Sequence, residues 1–319
     1  MFQARPPDLI VPLLTLAGLA ERPGEIQGFG LLDPALARDL AAAAAVSSRT
    51  EVCVTVTSPE GYAIGHGCAR PHRSPRPVRA PAPPQEAFPE LPARLNLTIP
   101  AAILAGLATL HAGGDSTWGF TRHEGAGSHA GEPSHAGEPS HAGEPSHAAQ
   151  PSRGGTDLHD GTGAPGATRP PGDTGPPSDI GPPGDTGPPG GYGTWVLTLP
   201  GGRQCTVRLD VVPTLGCDHR YETRAYQPSA KLRHLVQVRD GSCTFPVCGR
   251  HAKDSDFEHA VPYDKGGRTD ACNAGARSRA CHRVKQTKGW AVRQPRPGWH
   301  QWTTPAGRVY IQGPKQYPA

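Results

Sequence analysis

The sequence predicts an α+β protein with a folded part at each end and a long linker between them. Segments with helical periodicity and segments that alternate with period two occur in both terminal parts. Glycine (41 residues) and proline (38 residues) are so frequent among the 319 residues, and the hydrophobic fraction of 35% is so low, that one continuous core is excluded. The predicted regions are 1–69, 70–193, 194–227 and 228–319.

Charge is unevenly distributed along the chain. Residues 228–319 contain 16 Lys and Arg against 6 Asp and Glu, a net charge of +10, whereas the whole chain carries +4. A basic domain attracts polyanions, and phosphate backbones are the usual polyanion. The C-terminal region is therefore predicted to bind a nucleic acid.

The apolar stretch 9–20 is too short to span a membrane, which requires roughly 20 residues. Pro12 interrupts it and Arg5 is its only basic leader residue, so it fits a signal peptide poorly. We expect a cytoplasmic protein with no membrane association and with reduced thiols. Clustered cysteines in such a protein indicate metal binding.

Region 1–69 is predicted to be a small α+β fragment with little core of its own. Asp33 followed by Pro34 is a typical helix start, because Asp33 can cap the helix and Pro34 occupies its first position. The run E-V-C-V-T-V-T from Glu51 alternates and then meets P-E-G, which indicates a strand entering a turn.

Region 70–193 is predicted to be a low-complexity linker that contains one apolar segment, 95–110. When Pro100 is aligned with Pro12, the two apolar segments match at 6 of 11 positions, which suggests a local duplication. The hexapeptide S-H-A-G-E-P occurs three times from Ser128, with a fourth, imperfect copy ending at Pro151. A period this polar cannot bury an apolar face, so a flexible linker is favoured over weak metal binding by the histidines.

Residues 172–190 carry glycine at every third position except Ser178, a collagen-like composition for which we prefer an extended linker to a triple helix. Region 194–227 alternates on both sides of P-G-G-R and predicts a β-hairpin. Cys205 and Cys217 in this hairpin region are interpreted as ordinary thiols.

Region 228–319 has the pattern of a compact domain. A helix is predicted from the capping Ser229 to Gly241. Zinc in structural sites takes four thiolate or imidazole ligands, usually as two close pairs. The predicted zinc ligands are Cys243, Cys248, Cys272 and Cys281. Two alternatives remain open: four free cysteines, or a different fourth ligand such as His251, or Ser278 through water.

Between these cysteines lies a second group of polar residues. Glu258 precedes His259, Asn273 follows fourteen positions later and His282 nine positions after that, which is the order of a metal-dependent nuclease site. D-F-E-H alternates as a strand, so Asp256 and Glu258 share one face and His259 has the other. The loop Y-D-K-G-G-R-T-D reverses the chain, and S-R-A-C-H-R-V-K-Q-T-K-G predicts a short helix closed by Gly289.

Phosphodiester hydrolysis needs a deprotonated water and a cation that stabilises charge on the phosphate and the leaving group. Histidine suits the first task near neutral pH. A carboxylate with a second nitrogen or oxygen ligand suits the second task.

The order E-H, N, H with the cysteine pairs resembles the HNH endonucleases of the ββα-metal type, over residues 228–318. The closing G-W-A-V-R-Q-P-R-P-G-W-H-Q-W-T-T-P resembles HNH proteins of high-GC actinobacteria. The resemblance implies a small, zinc-braced ββα-metal fold that is treble-clef-like. His259 would be the general base, Glu258 and His282 would bind catalytic Mg or Mn, Asp256 would be an auxiliary ligand, and Asn273 would brace the loop. Many relatives carry cysteine where Ser278 stands.

Six basic residues flank this segment and fit contacts to a nucleic-acid backbone without base readout. They are Arg268, Arg277, Arg279, Arg283, Lys285 and Lys288. Trp290, Trp299 and Trp302 are predicted to form the core of a closing hairpin rather than a platform for bases. The sequence thus predicts an endonuclease acting on DNA. The first alternative is a catalytically silent, zinc-containing nucleic-acid-binding module, and the second is an extracellular interaction protein that uses the Gly- and Pro-rich tract.

Overall fold

A computed structural model of the chain describes residues 7–70, 93–111, 118–123, 187–188 and 190–319. The hexapeptide repeats and nearly all of the collagen-like tract lie outside these residues. Contacts between residues group 1–125 and 182–319 into one compact unit, and the described residues all belong to it. The fold is mixed α+β, with a curled sheet.

Ten strands form one sheet, and the sixth, seventh and eighth of them in chain order lie within the predicted linker 70–193. They are β1 (Asp8–Pro12), β2 (Gly24–Ile26), β3 (Gly30–Leu32), β4 (Glu51–Thr57), β5 (Ala63–Ala69), β6 (Arg94–Pro100), β7 (Thr109–His111), β8 (Gly119–Arg122), β9 (Gly193–Thr198) and β10 (Gln204–Val211). Their order is β3-β2-β1-β6-β4-β5-β10-β9-β8-β7. Strand β6 pairs in parallel with both β1 and β4, and every other pair is antiparallel.

The apolar segment from Leu95, expected within the linker, instead forms strand β6 between β1 and β4. Its partners lie more than forty residues away in the sequence, and local patterns do not report such distant pairing. The two segments of the suggested duplication each form a strand that is followed by a short helix. Strand β1 ends at Pro12 and continues into helix α1 (Leu13–Leu16), and β6 ends at Pro100, ahead of a second helix at Ala101–Gly106.

The helix predicted at Asp33 is present as α2 (Pro34–Val46). The helix Ala101–Gly106 that follows Pro100 is α3. The Asp33 side chain accepts hydrogen bonds from the backbone N–H groups of Ala35 and Leu36. The alanine-rich face of α2 packs on a core that also contains residues of β6, β8, β9 and β10. The N-terminal region therefore has a substantial core, contrary to expectation, because distant segments complete it.

The hairpin predicted in region 194–227 is present as β9 and β10, and Val207 lies opposite the buried Trp195. Strand β10 also pairs with β5, so the hairpin extends the N-terminal sheet. Cys53 on β4 faces Cys68 on β5, and the two form a disulfide. The prediction of reduced thiols is therefore wrong for this pair, whose proximity depends on strand register.

The C-terminal region contains two α-helices and five strands, besides three short 3₁₀ helices. They are α4 (Ala230–Asp240), β11 (Asp256–His259), β12 (Ala274–Arg277), α5 (Arg279–Lys285), β13 (Ala291–Arg296), β14 (Trp299–Thr303) and β15 (Val309–Gln312). Ser229 caps α4 through Leu232 N–H, and Gly241 ends the helix with a φ of 65°. The antiparallel pair β11–β12 followed by α5 gives a ββα order.

The chain closes with a three-stranded sheet of β13, β14 and β15 rather than a hairpin. Trp302 is fully buried, and its indole N–H donates to the carbonyl oxygen of Thr244 at 2.8 Å, whereas Trp290 and Trp299 are only partly buried. Helix α5 ends at Lys285, before the expected Gly289. Gly289 instead has a φ of 88° and lies against Pro305.

The C-terminal region packs directly against the large sheet. Buried Tyr317 donates its hydroxyl to the carbonyl oxygen of Val238 at 2.7 Å, and its backbone N–H donates to that of Gly61 at 2.8 Å. Asp8 on β1 forms an ion pair with Lys253 at 2.8 Å. Within the described ranges no helix is long and apolar enough to cross a membrane.

Candidate functional site

Strand β11 and helix α5 bring three of the predicted site residues together. Asp256 and Glu258 lie two residues apart on β11, and both reach His282 on α5. Asp256 Oδ2 is 3.4 Å from His282 Nδ1, and Glu258 Oε2 is 3.2 Å from His282 Nε2. The two carboxylates therefore approach opposite nitrogen atoms of one imidazole ring.

His259 is 3% exposed and lies among aromatic rings. Its ring is stacked on Tyr226, with centroids 5.5 Å apart, and meets the edge of Phe257 at 5.6 Å. His259 Nε2 is 2.9 Å from Thr269 Oγ1, whose hydroxyl donates to the Tyr226 carbonyl oxygen at 3.4 Å. A threonine hydroxyl has one hydrogen, so if it is given to Tyr226 the oxygen accepts from Nε2, and in that tautomer Nδ1 is unprotonated. Burial lowers the pKa of His259, which favours the neutral ring.

Asn273 joins the two ends of the loop between β11 and β12. Its Oδ1 accepts the N–H of Val261 at 2.7 Å, and its Nδ2 donates to the carbonyl oxygens of Val261 at 3.0 Å and Arg268 at 2.8 Å. The loop is so tight that a Cβ atom at Gly267 would collide with the Val261 carbonyl group, which explains one of its two glycines. Asp270 Oδ1 in turn accepts the Asn273 N–H at 2.9 Å.

Two of the six basic residues predicted to contact a nucleic-acid backbone are placed otherwise. Arg277 is fully buried, where desolvation lowers its pKa to about 10, and it donates to the His259 carbonyl oxygen at 3.2 Å. It also lies 5.4 Å from the Trp302 ring centroid. Lys285 forms an ion pair with Glu258 at 2.6 Å, and only 9% of its side chain is exposed. Sequence position alone does not reveal that β12 directs Arg277 into the core.

The other four basic residues are exposed at the surface of the C-terminal region. Arg268 forms an ion pair with Glu222 at 3.3 Å, and Arg279 forms one with Asp256 at 3.1 Å. Lys288 borders an open pocket of about 670 Å³ that is also lined by Glu258, His259, His282 and Lys285. The exposed Lys265, which we did not single out, borders the same pocket. The predicted catalytic residues therefore face a space with cationic edges.

Three of the four predicted zinc ligands form a compact group. The sulfur atoms of Cys243, Cys248 and Cys281 lie within 4.8 Å of one another. Ser278 Oγ is 3.6 Å from Cys248 Sγ, and the Ser278 N–H donates to Cys243 Sγ at 3.3 Å. His251, an alternative fourth ligand, instead points its Nε2 at Asp8, 3.0 Å away.

Cys272 does not join this group, and its prediction as the fourth ligand is wrong. Its sulfur atom lies within 4.8 Å of ligand atoms of Cys217 and His219, which form a separate group. Contact with Cys272 lowers the pKa of Cys217 to about 7, and the same contact raises the pKa of Cys272. Cys217 is therefore not an isolated thiol, because the loop before α4 folds back onto Cys272.

Both groups have dimensions that suit a metal ion. Donor atoms around tetrahedral zinc lie about 3.3–3.8 Å apart, given bond lengths of about 2.0–2.3 Å. The 3.6 Å between Cys248 Sγ and Ser278 Oγ falls in this range, and the three sulfur atoms lie within 4.8 Å of one another. The cysteine and histidine groups could thus hold metal ions.

Sequence reasoning missed several residues of the site. Thr269 and Tyr226 contact the His259 ring and fix its position. Their positions in the sequence do not indicate that they contact this histidine. Lys285 was assigned to DNA contact, and no local pattern indicates its pairing with Glu258. For Cys217 a signal existed, since His219, a residue type that also binds zinc, stands two positions after it.

Comparisons with known proteins give short matches. No family model and no solved structure matches the chain. Over 90 residues, 28% of this chain, it is 37% identical to the uncharacterized protein Rv3776 of Mycobacterium tuberculosis strain H37Rv. It is 37% identical over the same length to the uncharacterized protein Rv2100 of that strain. The matched segments cover 17% and 16% of these relatives, so the chain spans about a sixth of their length.

Proposed function

We propose that the protein is a metal-dependent HNH endonuclease that hydrolyses DNA phosphodiester bonds. One observation carries the proposal: Glu258, His259 and His282 line one open pocket, and Asn273 holds the loop beside it. These are the residue types that in-line attack of water on phosphate requires, namely a base and a pair of cation ligands.

His259 acts as the general base in this proposal. Thr269 occupies Nε2, so Nδ1 is the ring nitrogen that takes the proton from the attacking water. The stacked Tyr226 and the edge of Phe257 fix the ring plane, which limits the loss of orientation when substrate binds. Asn273 contributes indirectly, because it holds the loop that follows His259.

Glu258 and His282 bind the divalent cation, Mg or Mn. Their facing atoms are 3.2 Å apart, close to the roughly 3.0 Å between adjacent ligands of an octahedral ion with bonds of about 2.1 Å. Asp256 approaches the other nitrogen of His282, so its role is to orient the imidazole ring. When bound, the cation would stabilise negative charge on the phosphate and on the leaving oxygen.

A structural zinc ion at Cys243, Cys248 and Cys281 braces this site, with Ser278 at the fourth corner, directly or through a water. The Ser278 side chain also caps α5 through the Cys281 N–H at 3.3 Å. A zinc ion there would fix the start of the helix that carries His282. The brace thus connects the T-F-P-V turn to the catalytic helix.

DNA binds through its backbone at the exposed Lys265, Arg283 and Lys288. The net charge of +10 in residues 228–319 supports this. We propose the cytoplasm as the compartment, where the Cys53–Cys68 disulfide would be an exception to the usual reduced state of thiols.

The second candidate is a catalytically silent, zinc-containing module that binds nucleic acid. Its specific support is Lys285, whose ammonium group pairs with Glu258 and also contacts the His259 carbonyl oxygen. A permanent pairing of this kind would compete with the catalytic cation for Glu258. The two candidates differ in whether DNA is cut.

A plasmid-nicking assay with Mg or Mn tests the proposal on three chains: unaltered, His259→Ala and His123→Ala. His123 is an exposed histidine, and its variant is the matched control. We expect the unaltered and control chains to nick the plasmid, and a chelator to abolish this nicking. The nicking rate of His259→Ala should be about 10²- to 10⁴-fold lower. Equal nicking by all three chains would mean that the assignment is wrong, and no nicking by any would favour the silent module.

A further inference from the structure

A second metal-ligand group lies outside the predicted zinc brace and the catalytic pocket. The donor atoms of Cys217, His219 and Cys272 lie within 4.8 Å of one another. We propose that these residues bind a second structural zinc ion, and the carboxylate of Asp270 lies beside the imidazole of His219. Two thiols, an imidazole and a carboxylate are all established zinc ligands.

The group joins two segments that are distant in sequence. Cys217 and His219 lie in the loop between β10 and α4, and Cys272 lies in the 3₁₀ helix Ala271–Asn273. The backbone N–H of Thr223 donates to the Thr269 carbonyl oxygen at 3.0 Å. This hydrogen bond joins the two segments close to the three ligand residues. Paired ligands from separate segments are the usual design of a structural zinc site.

His219 has a backbone conformation that needs an explanation. Its φ is +58°, and it is the only non-glycine residue with positive φ in the ranges that the structure describes. This conformation is unfavourable for an L-residue and persists only where the surroundings impose it. A bond from the imidazole to a metal ion would be such a constraint.

Asp270 connects the group to the rest of the site. Its Oδ2 lies 3.1 Å from His219 Nδ1, and its Oδ1 accepts the N–H of Asn273 at 2.9 Å. Glu222 Oε2, 3.6 Å from the same His219 nitrogen, adds negative charge that favours a cation. Zinc bound here would hold the turn that carries Asn273, whether or not the protein cuts DNA.

Binding changes only protonation and coordination. Zn²⁺ takes the place of the thiol protons of Cys217 and Cys272, which pass to solvent, and no oxidant or reductant is needed. The competing possibility for two neighbouring thiols is a disulfide, which requires the loss of two electrons. The two can be distinguished by metal content and by thiol accessibility.

Zinc stoichiometry of the full-length chain, purified with a reductant and measured by plasma mass spectrometry, tests the proposal. We expect about two zinc ions per chain when both structural sites bind zinc. Cys217→Ser or Cys272→Ser should each remove one, and Cys243→Ser should remove the other independently. Cys205→Ala alters a buried thiol far from both groups and should leave the content unchanged.

A second measurement covers variants that fail to fold. The unaltered chain is stripped of metal, incubated with or without zinc, alkylated and mapped by peptide mass spectrometry. Zinc should protect Cys217 and Cys272 from alkylation. Equal alkylation with and without zinc, a Cys217–Cys272 disulfide in the reduced preparation, or an undiminished zinc content in folded Cys217→Ser would overturn the proposal. Loss of nuclease activity in His259→Ala should leave the zinc content unchanged, so the two proposals fail separately.

Discussion

Replacing Asn273 by alanine tests how the loop beside the pocket is held. The change removes three hydrogen bonds, to the N–H of Val261 and to the carbonyl oxygens of Val261 and Arg268. Each is worth about 1 kcal/mol net, so the free energy of unfolding should fall by about 3 kcal/mol. For a cooperative unit of about 200 residues this corresponds to a decrease in Tm of roughly 6–12 °C.

Urea denaturation and differential scanning calorimetry of the full-length chain measure this loss. Gln204→Ala is the matched control, because it removes an exposed amide on β10 that makes one side-chain hydrogen bond to Thr198, at 3.2 Å. The control should change stability by less than about 0.5 kcal/mol. If Asn273→Ala is as stable as the control, the loop is held by other contacts and the reasoning about Asn273 fails.

Three further predictions concern acid stability, the closing sheet and the cation site. Burial raises the pKa of Asp8, but contacts with His251 and Lys253 outweigh it and hold the pKa at about 2, against 3.8 for the free group. Its contribution is therefore complete above about pH 3.8 and is lost as the pH falls through about 2. Asp8→Asn should lower the free energy of unfolding at pH 7 by about 2 kcal/mol. It should also reduce the fall of the urea midpoint that accompanies acidification, and an unchanged fall would refute the pairing. Trp302→Ala should lower the free energy of unfolding by about 3–5 kcal/mol, since the ring is fully buried, and calorimetry showing a loss below about 1 kcal/mol would contradict this. Lys285→Met should increase Mn²⁺ affinity in calorimetric titration, because it removes the cation that competes for Glu258, whereas weaker binding would show that Lys285 supports the site.

Local features of the fold could be predicted because they depend on neighbouring residues. Asp33 with Pro34, and Ser229 with Gly241, mark helix ends through caps and turn geometry that involve only a few positions. Strand β6 was missed, because its place between β1 and β4 depends on pairing with residues more than forty positions away. The N-terminal core was underestimated for the same reason, because β6 is part of it.

The site shows the same division. Alternation on β11 predicted that Asp256 and Glu258 share a face, and both reach His282. The ligand partner of Cys272 depends on how the loop before α4 packs, which spacing does not encode. A basic residue in a basic segment, such as Arg277, predicts a surface contact. The Arg277 guanidinium group is instead buried and donates to the His259 carbonyl oxygen.

The most direct test of the central claim is single-turnover cleavage of an end-labelled DNA duplex in excess Mg²⁺, at protein concentrations that saturate the DNA. Binding is measured on the same samples by fluorescence anisotropy, and His123→Ala is the control. We predict that His259→Ala binds DNA with a Kd within about twofold of the unaltered chain and cuts it about 10²- to 10⁴-fold more slowly. Cleavage by His259→Ala at the unaltered rate, or binding without cleavage by the unaltered chain, would contradict the assignment of a nuclease site at Glu258, His259 and His282.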